Sequence, residues 1–144
     1  MYTNVITLFN FCKASGLWYP TVLPNVDLIA VQGNSKAQHG IANNNTAEVI
    51  IHSTADKMIM TNLGLKRFVG TKEYMALTAP ESYITFTPEK DFIIDGVYEY
   101  INPISDEDFD SGLYHELNEA LDNVYLITSA VFYNLIPHFE LGAK

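Results

Sequence analysis

Two aspartates four residues apart, Asp91 and Asp95, lie in the stretch 84-ITFTPEKDFIIDGVYEY-100. On a helix this spacing would put both carboxylates on one face, the arrangement of an acid/base pair or a shared metal site. Their neighbours Phe92, Ile93, Ile94, Val97 and Tyr98 are strand formers instead. On a strand the two share a face about 13 Å apart, at about 3.3 Å per residue, which is too far to hold one ion. Pro88-Glu89-Lys90-Asp91 reads as a tight turn with Pro88 setting φ, and Asp95-Gly96 as a bulge or second bend. The stretch is expected to be a hairpin rather than an active site.

The other candidates for chemistry fail on spacing. The run Asp106-Glu107-Asp108-Phe109-Asp110 resembles the start of a calcium loop, but Ser111 stands where glycine is needed and Leu117 where the bidentate glutamate belongs. Acids at a helix start explain the run better, because the helix dipole favours negative charge there. Of the histidines His39, His52, His115 and His138, His138 can share a strand face with Glu140 and His52 one with Glu48. Two ligands do not make a metal site. The chain has no Gly-x-Ser-x-Gly elbow and no Gly-rich phosphate loop. The lone cysteine, Cys12, excludes an intrachain disulfide and a cysteine-based zinc cluster, and reads as a small buried hydrophobe. No catalytic residue, metal or cofactor is expected, and the chain does not read as an enzyme.

Charge is distributed unevenly. The formal net charge is −9, yet residues 1–80 hold six Lys or Arg against four acids, while residues 81–143 hold thirteen acids and one base, Lys90. Such a chain does not coat nucleic acid, which requires cations that displace condensed counterions. It can surround DNA without adhering to it, dock its acidic part on a basic neighbour, or simply present a solvated acidic surface. No apolar run approaches the roughly 18 residues of a membrane span, and no basic segment precedes the first apolar residues. A soluble intracellular product is expected.

The elements that must carry these residues are mostly strands. A length of 144 residues suits one domain, 1–144. Segments 3–12, 21–31, 47–53, 83–87, 91–101 and 124–133 are rich in β-branched and aromatic residues and end at turn formers. Pro20 and Pro24 suit an edge strand or bulge. Residues 32–46, rich in Asn and Gly, read as a loop or loose hairpin tip, and the sequon at Asn44 carries no weight without a signal peptide. One helix is expected at about 109–122, with Leu113, Leu117, Ala120 and Leu121 forming an apolar stripe and Asp110 or Ser111 as N-cap. A small β-barrel or sandwich with one packed α-helix follows.

Residues 54–75 fit neither period. They mix the exposed-looking Met58, Ile59, Met60, Leu63, Leu65 and Phe68 with Lys57, Lys66, Arg67 and Lys72, and Met58, Ile59, Met60, Leu63 and Phe68 are the expected anchors. The stretch reads as a long protruding loop or hairpin whose apolar residues meet a partner, or alternatively as a strand and turn within the barrel.

The order of segments resembles the small head-closure or neck proteins among the head–tail connectors of tailed bacteriophages. The resemblance is carried by Tyr2-Thr3-Asn4 with 6-ITLFN-10, by 86-FTPEKDFIIDG-96, by the acidic linker, and by the terminal 126-LITSAVFYNLIPHFELGAK-144. It is clearest in the carboxy-terminal two-fifths. Asp91 to Gly96 matches that family's Asp-apolar-apolar-x-Gly hairpin with one residue inserted. The resemblance implies a mainly β, SH3-like barrel with an added helix and long loops, and no cofactor. It also implies a homo-oligomeric ring in the virion neck that closes the DNA-filled head, between a portal or adaptor ring and the tail proteins, near packaged DNA. A tail-completion or tail-terminator ring subunit, or a small acidic intracellular inhibitor domain, are the competing readings.

Overall fold

The first strand, β1 (Asn4–Cys12), is apolar on both faces, and both faces are covered. In the computed structural model, which describes residues 3–31, 34–37, 40–43 and 46–144, Ile6 and Leu8 point into a barrel while Phe9 points outward into a second core. Continuous apolar runs of this kind mark strands buried on both sides. The further strands are β2 (Leu17–Val31), β3 (Asn34–Ala37), β4 (Gly40–Asn43), β5 (Thr46–His52), β6 (Met58–Thr61), β7 (Gly64–Phe68), β8 (Tyr83–Ile84), β9 (Phe92–Asp95), β10 (Ile104–Ser105), β11 (Val124–Tyr133) and β12 (His138–Ala143). Helices α1 (Thr71–Met75) and α2 (Leu113–Ala120) interrupt them. The expected small β-barrel with one packed helix is what the chain forms.

The barrel has six strands in the order β1-β9-β11-β12-β5-β2, and closes because β2 also pairs with β1. All six pairings are antiparallel. One strand serves two neighbours because β2 bends. Its first half pairs with β1, its second half with β5, and the register slips between Leu23 and Val26. Pro24 and Asn25 occupy the slip, Asn25 with φ 58, so the bulge expected from the prolines is the hinge that closes the barrel. A second irregularity, between Ile127 and Ser129 on β11, reverses which parity faces inward. The inner core is built from β-branched and aromatic residues, among them Val49, Ile51, Ile93, Ile127 and Phe139.

One local expectation requires correction. The 84–100 stretch contains the turn, with Thr87 O accepting from Lys90 N and Asp91 N, but its arms do not form a hairpin. β8 runs parallel to β7, whereas β9 lies between β1 and β11. The turn is local, but the partners of its arms are fixed by competition among all the strands. Gly96, at φ 116, makes the second bend and donates to Val5 O. The loose hairpin expected around 32–46 has its arms in β3 and β4, while Gln38, His39 and the sequon residues Asn44 and Asn45 lie outside the described residues.

The helix differs from expectation at both ends. Its N-cap is Gly112, at φ 89, and the cap acceptor comes from farther back. Asp106 Oδ1 accepts from Leu113 N at 2.9 Å and from Trp18 Nε1 at 2.8 Å. One carboxylate thus caps the start of the helix and pins it to β2, which neither Asp110 nor Ser111 does. Burial alone would raise the Asp106 pKa, but the Trp18 and Leu113 hydrogen bonds and the charge of Lys90 leave it below its ordinary value. The apolar stripe is shorter than expected: Leu113 is buried, Tyr114 and Leu117 are half-buried, and Ala120 and Leu121 are exposed. Leu113→Asp should therefore cost about 3 kcal/mol or more, by placing an unpaired charge among Phe92, Trp18 and Ile104. Glu116→Ala, on the exposed face, should stay within about 0.5 kcal/mol of wild type. Equal melting temperatures for the two variants would refute this orientation.

Candidate interaction surface

Of the two aspartates that raised the question of chemistry, Asp91 is fully buried and Asp95 is exposed. Asp91 Oδ1 accepts from Phe11 N at 3.0 Å, and Oδ2 accepts from Asn10 Nδ2 at 2.9 Å and Thr87 N at 3.0 Å. Asn10 Nδ2 also donates to Thr85 O. This carboxylate clasps β1 to the turn before β9. Burial pushes its pKa up to about 6, with the donors from Thr87, Phe11 and Asn10 acting the other way. Fully enclosed among backbone donors, it is a structural group. The run from Asp106 supplies the helix cap described above. His138 Nε2 pairs with Glu140 Oε2 at 2.8 Å, and His52 stands opposite His138 across the β5–β12 pairing. Among the described residues, no three of His, Cys, Asp or Glu gather where they could hold a metal ion. Cys12 is buried, its Sγ 3.7 Å from Leu77 O.

Residues 54–75 form the β6–β7 hairpin followed by α1, and the hairpin lies against the barrel. Its turn is closed by Thr61, whose Oγ1 donates to Gly64 O and accepts from Leu63 N, and Gly64 takes φ 107. Asn62 N donates to Val22 O, anchoring the tip on the edge of β2. Strand alternation then sorts the expected anchors. Ile59 is buried in the main core, and Phe68 packs on Phe86 and Phe139 with ring centroids 5.5 and 4.6 Å away. Both are corrections, because their side of the hairpin faces inward and makes them core rather than partner contacts. Met58 and Lys66 are half-buried, whereas Met60, Leu63 and Arg67 are exposed.

The exposed row is therefore Met60, Leu63 and Leu65, with Met60 and Leu65 cross-strand partners and Leu63 at the tip 73% exposed. Leu65 looks exposed in the sequence but is not among the expected anchors; it joins the row because it pairs with Met60 once the turn is centred on Asn62-Leu63. Beside this row lies a groove of about 290 Å³ between the hairpin, β2 and the segment before β10. Pro20, Val22, Leu63, Leu65, Ile101 and Pro103 give it an apolar lining. Lys66 enters it, with Nζ 3.4 Å from Thr21 Oγ1. Burial lowers the Lys66 pKa from its ordinary value, while the Glu81 carboxylate acts in the opposite direction. Lys57 lies over the rings of Phe132 and Phe68, and Arg67 reaches Asp56 O. None of these three bases forms an ion pair with a carboxylate among the described residues. The surface can accept apolar side chains accompanied by negative charge.

No helix among the described residues is long and apolar enough to cross a membrane. Comparison with curated proteins and with solved structures yields no match. Along residues 1–144 the sequence matches the family described as Family of unknown function (DUF6751), and the chain belongs to that family.

Proposed function

We propose that this chain is a structural, ring-forming subunit of a tailed-bacteriophage neck, of the head-closure kind. In this role it sits in the virion between the portal or adaptor ring and the tail proteins, and contacts packaged DNA only by proximity. The observation that carries the reading is the β6–β7 hairpin: an exposed apolar row flanked by bases that form no ion pair among the described residues, on a chain whose acids are concentrated after residue 80. Complementary patches at different places on one chain are what a cyclic assembly needs. The small barrel with an added helix agrees with the sequence resemblance to head-closure proteins.

Deleting the gene from its parent phage is the direct test. The expected result is DNA-filled heads and separate tails in the lysate, restored to joined particles by the wild-type gene. Normal infectious particles from the deletion would overturn the proposal. Within that experiment, Met60→Ser/Leu65→Ser should fail to restore joining while melting close to wild type, since both side chains already face solvent. Full complementation would remove the hairpin from the interface.

A further inference from the structure

The turn that joins β11 to β12 is chemically out of place. Asn134 and Pro137 are ordinary turn residues, but Leu135 between them is 98% exposed and Ile136 69% exposed. Nothing in the turn requires two aliphatic side chains, and turns normally carry polar residues or glycine there. Neither residue belongs to the groove beside the β6–β7 hairpin or to the hairpin itself. The molecule therefore presents an apolar knob at one place and an apolar groove at another.

We propose that Leu135 and Ile136 of one copy fill the groove of a second copy, and that this contact repeats around the ring; the inference rests on the ring-forming reading above. The occupant is identified by size and charge. At about 290 Å³ the groove lies just below the roughly 300–1,000 Å³ of ligand pockets, a fit for one or two aliphatic side chains. The sheet that bears the knob carries Asp27, Glu48 and Glu140 facing outward and has no Lys or Arg in β2, β5, β11 or β12. The hairpin that walls the groove carries Lys66, which lines it together with Glu81, and Arg67 on the same strand. Docking the knob brings an acidic sheet toward bases that form no ion pair among the described residues, and Lys66, beside Thr21 Oγ1 and under the influence of Glu81, gains further negative charge nearby. Because knob and groove are different surfaces, the contact is heterologous: each copy has both halves free until a ring closes.

The test is a double-cysteine variant, Leu63→Cys/Leu135→Cys, oxidised as purified protein at high concentration. Cys12 is fully buried and is retained. The expected product is a ladder of covalent oligomers beyond the dimer, whereas each single variant stops at dimer. A double variant that also stops at dimer overturns the inference. Complementation of the gene deletion separates this outcome from the neck reading. Leu135→Asp should melt like wild type, since the side chain is in solvent, yet restore joining at least about tenfold less. If the deletion blocks joining but Leu135→Asp complements fully, the neck reading stands and the knob does not. A ladder obtained for a gene whose deletion has no phenotype keeps the docking and sinks the neck.

Discussion

Asp91→Ala should lower the unfolding free energy by about 3–5 kcal/mol at pH 5, measured by urea denaturation. The substitution strands Phe11 N and Thr87 N, two donors whose acceptor is this carboxylate, and leaves Asn10 Nδ2 with Thr85 O alone. It also removes the tie between β1 and the turn that launches β9, so two barrel strands lose a shared fixed point. The pH dependence gives a sharper test. Burial raises the Asp91 pKa from 3.8 to about 6, so the folded chain holds this proton more tightly than the unfolded chain. The group therefore favours folding most below about pH 4, and that contribution is lost as pH rises through 6, a difference of about 3 kcal/mol. Asp91→Asn cannot ionise. Its stability relative to wild type should rise by about that amount between pH 4 and pH 7. Parallel pH profiles for the two proteins would show that the clasp is not the titrating group.

Phe92→Ala is expected to cost about 3–5 kcal/mol. The ring is fully buried on the outer side of the barrel wall, stacked on Phe9 with centroids 4.5 Å apart. Trp18 and Tyr114 meet it at 5.0 and 5.2 Å. It is the contact through which β9, β1, β2 and α2 share one core, so truncation leaves a cavity that no single element can collapse to fill. Hydrogen exchange should then accelerate most in residues 113–120, because α2 loses the surface it rests on while the inner core remains. A loss below about 1 kcal/mol would mean that the second core contributes little to holding the helix.

Some of this was legible in residues read locally. The strand runs of β1, β9 and β11 and the helix around Leu113 and Leu117 follow from side-chain type and period. The turn at Pro88, the bend at Gly96 and the bulge at Pro24 follow from backbone chemistry that needs no distant partner. The burial of Cys12 follows from the apolar run in which it sits.

Other features depended on what lies across the molecule. Asp91 reads as an ordinary turn residue until β1, 80 or more positions away, supplies Asn10 and Phe11 as its donors. Asp110 and Ser111 are better N-caps by type, yet Asp106 performs that work because Trp18 holds its carboxylate in reach of Leu113. In the candidate interface, Met58, Ile59, Met60, Leu65 and Phe68 are alike in apolarity, and strands of four and five residues are too short for period alone to assign their faces. Docking of the hairpin on β2 made that assignment, sending Ile59 and Phe68 into the core and leaving Met60 and Leu65 in solvent. Backbone preference is set by adjacent residues and so is written locally. Burial and strand partnership are set by competition among segments far apart in the chain, and only the closed barrel decides them.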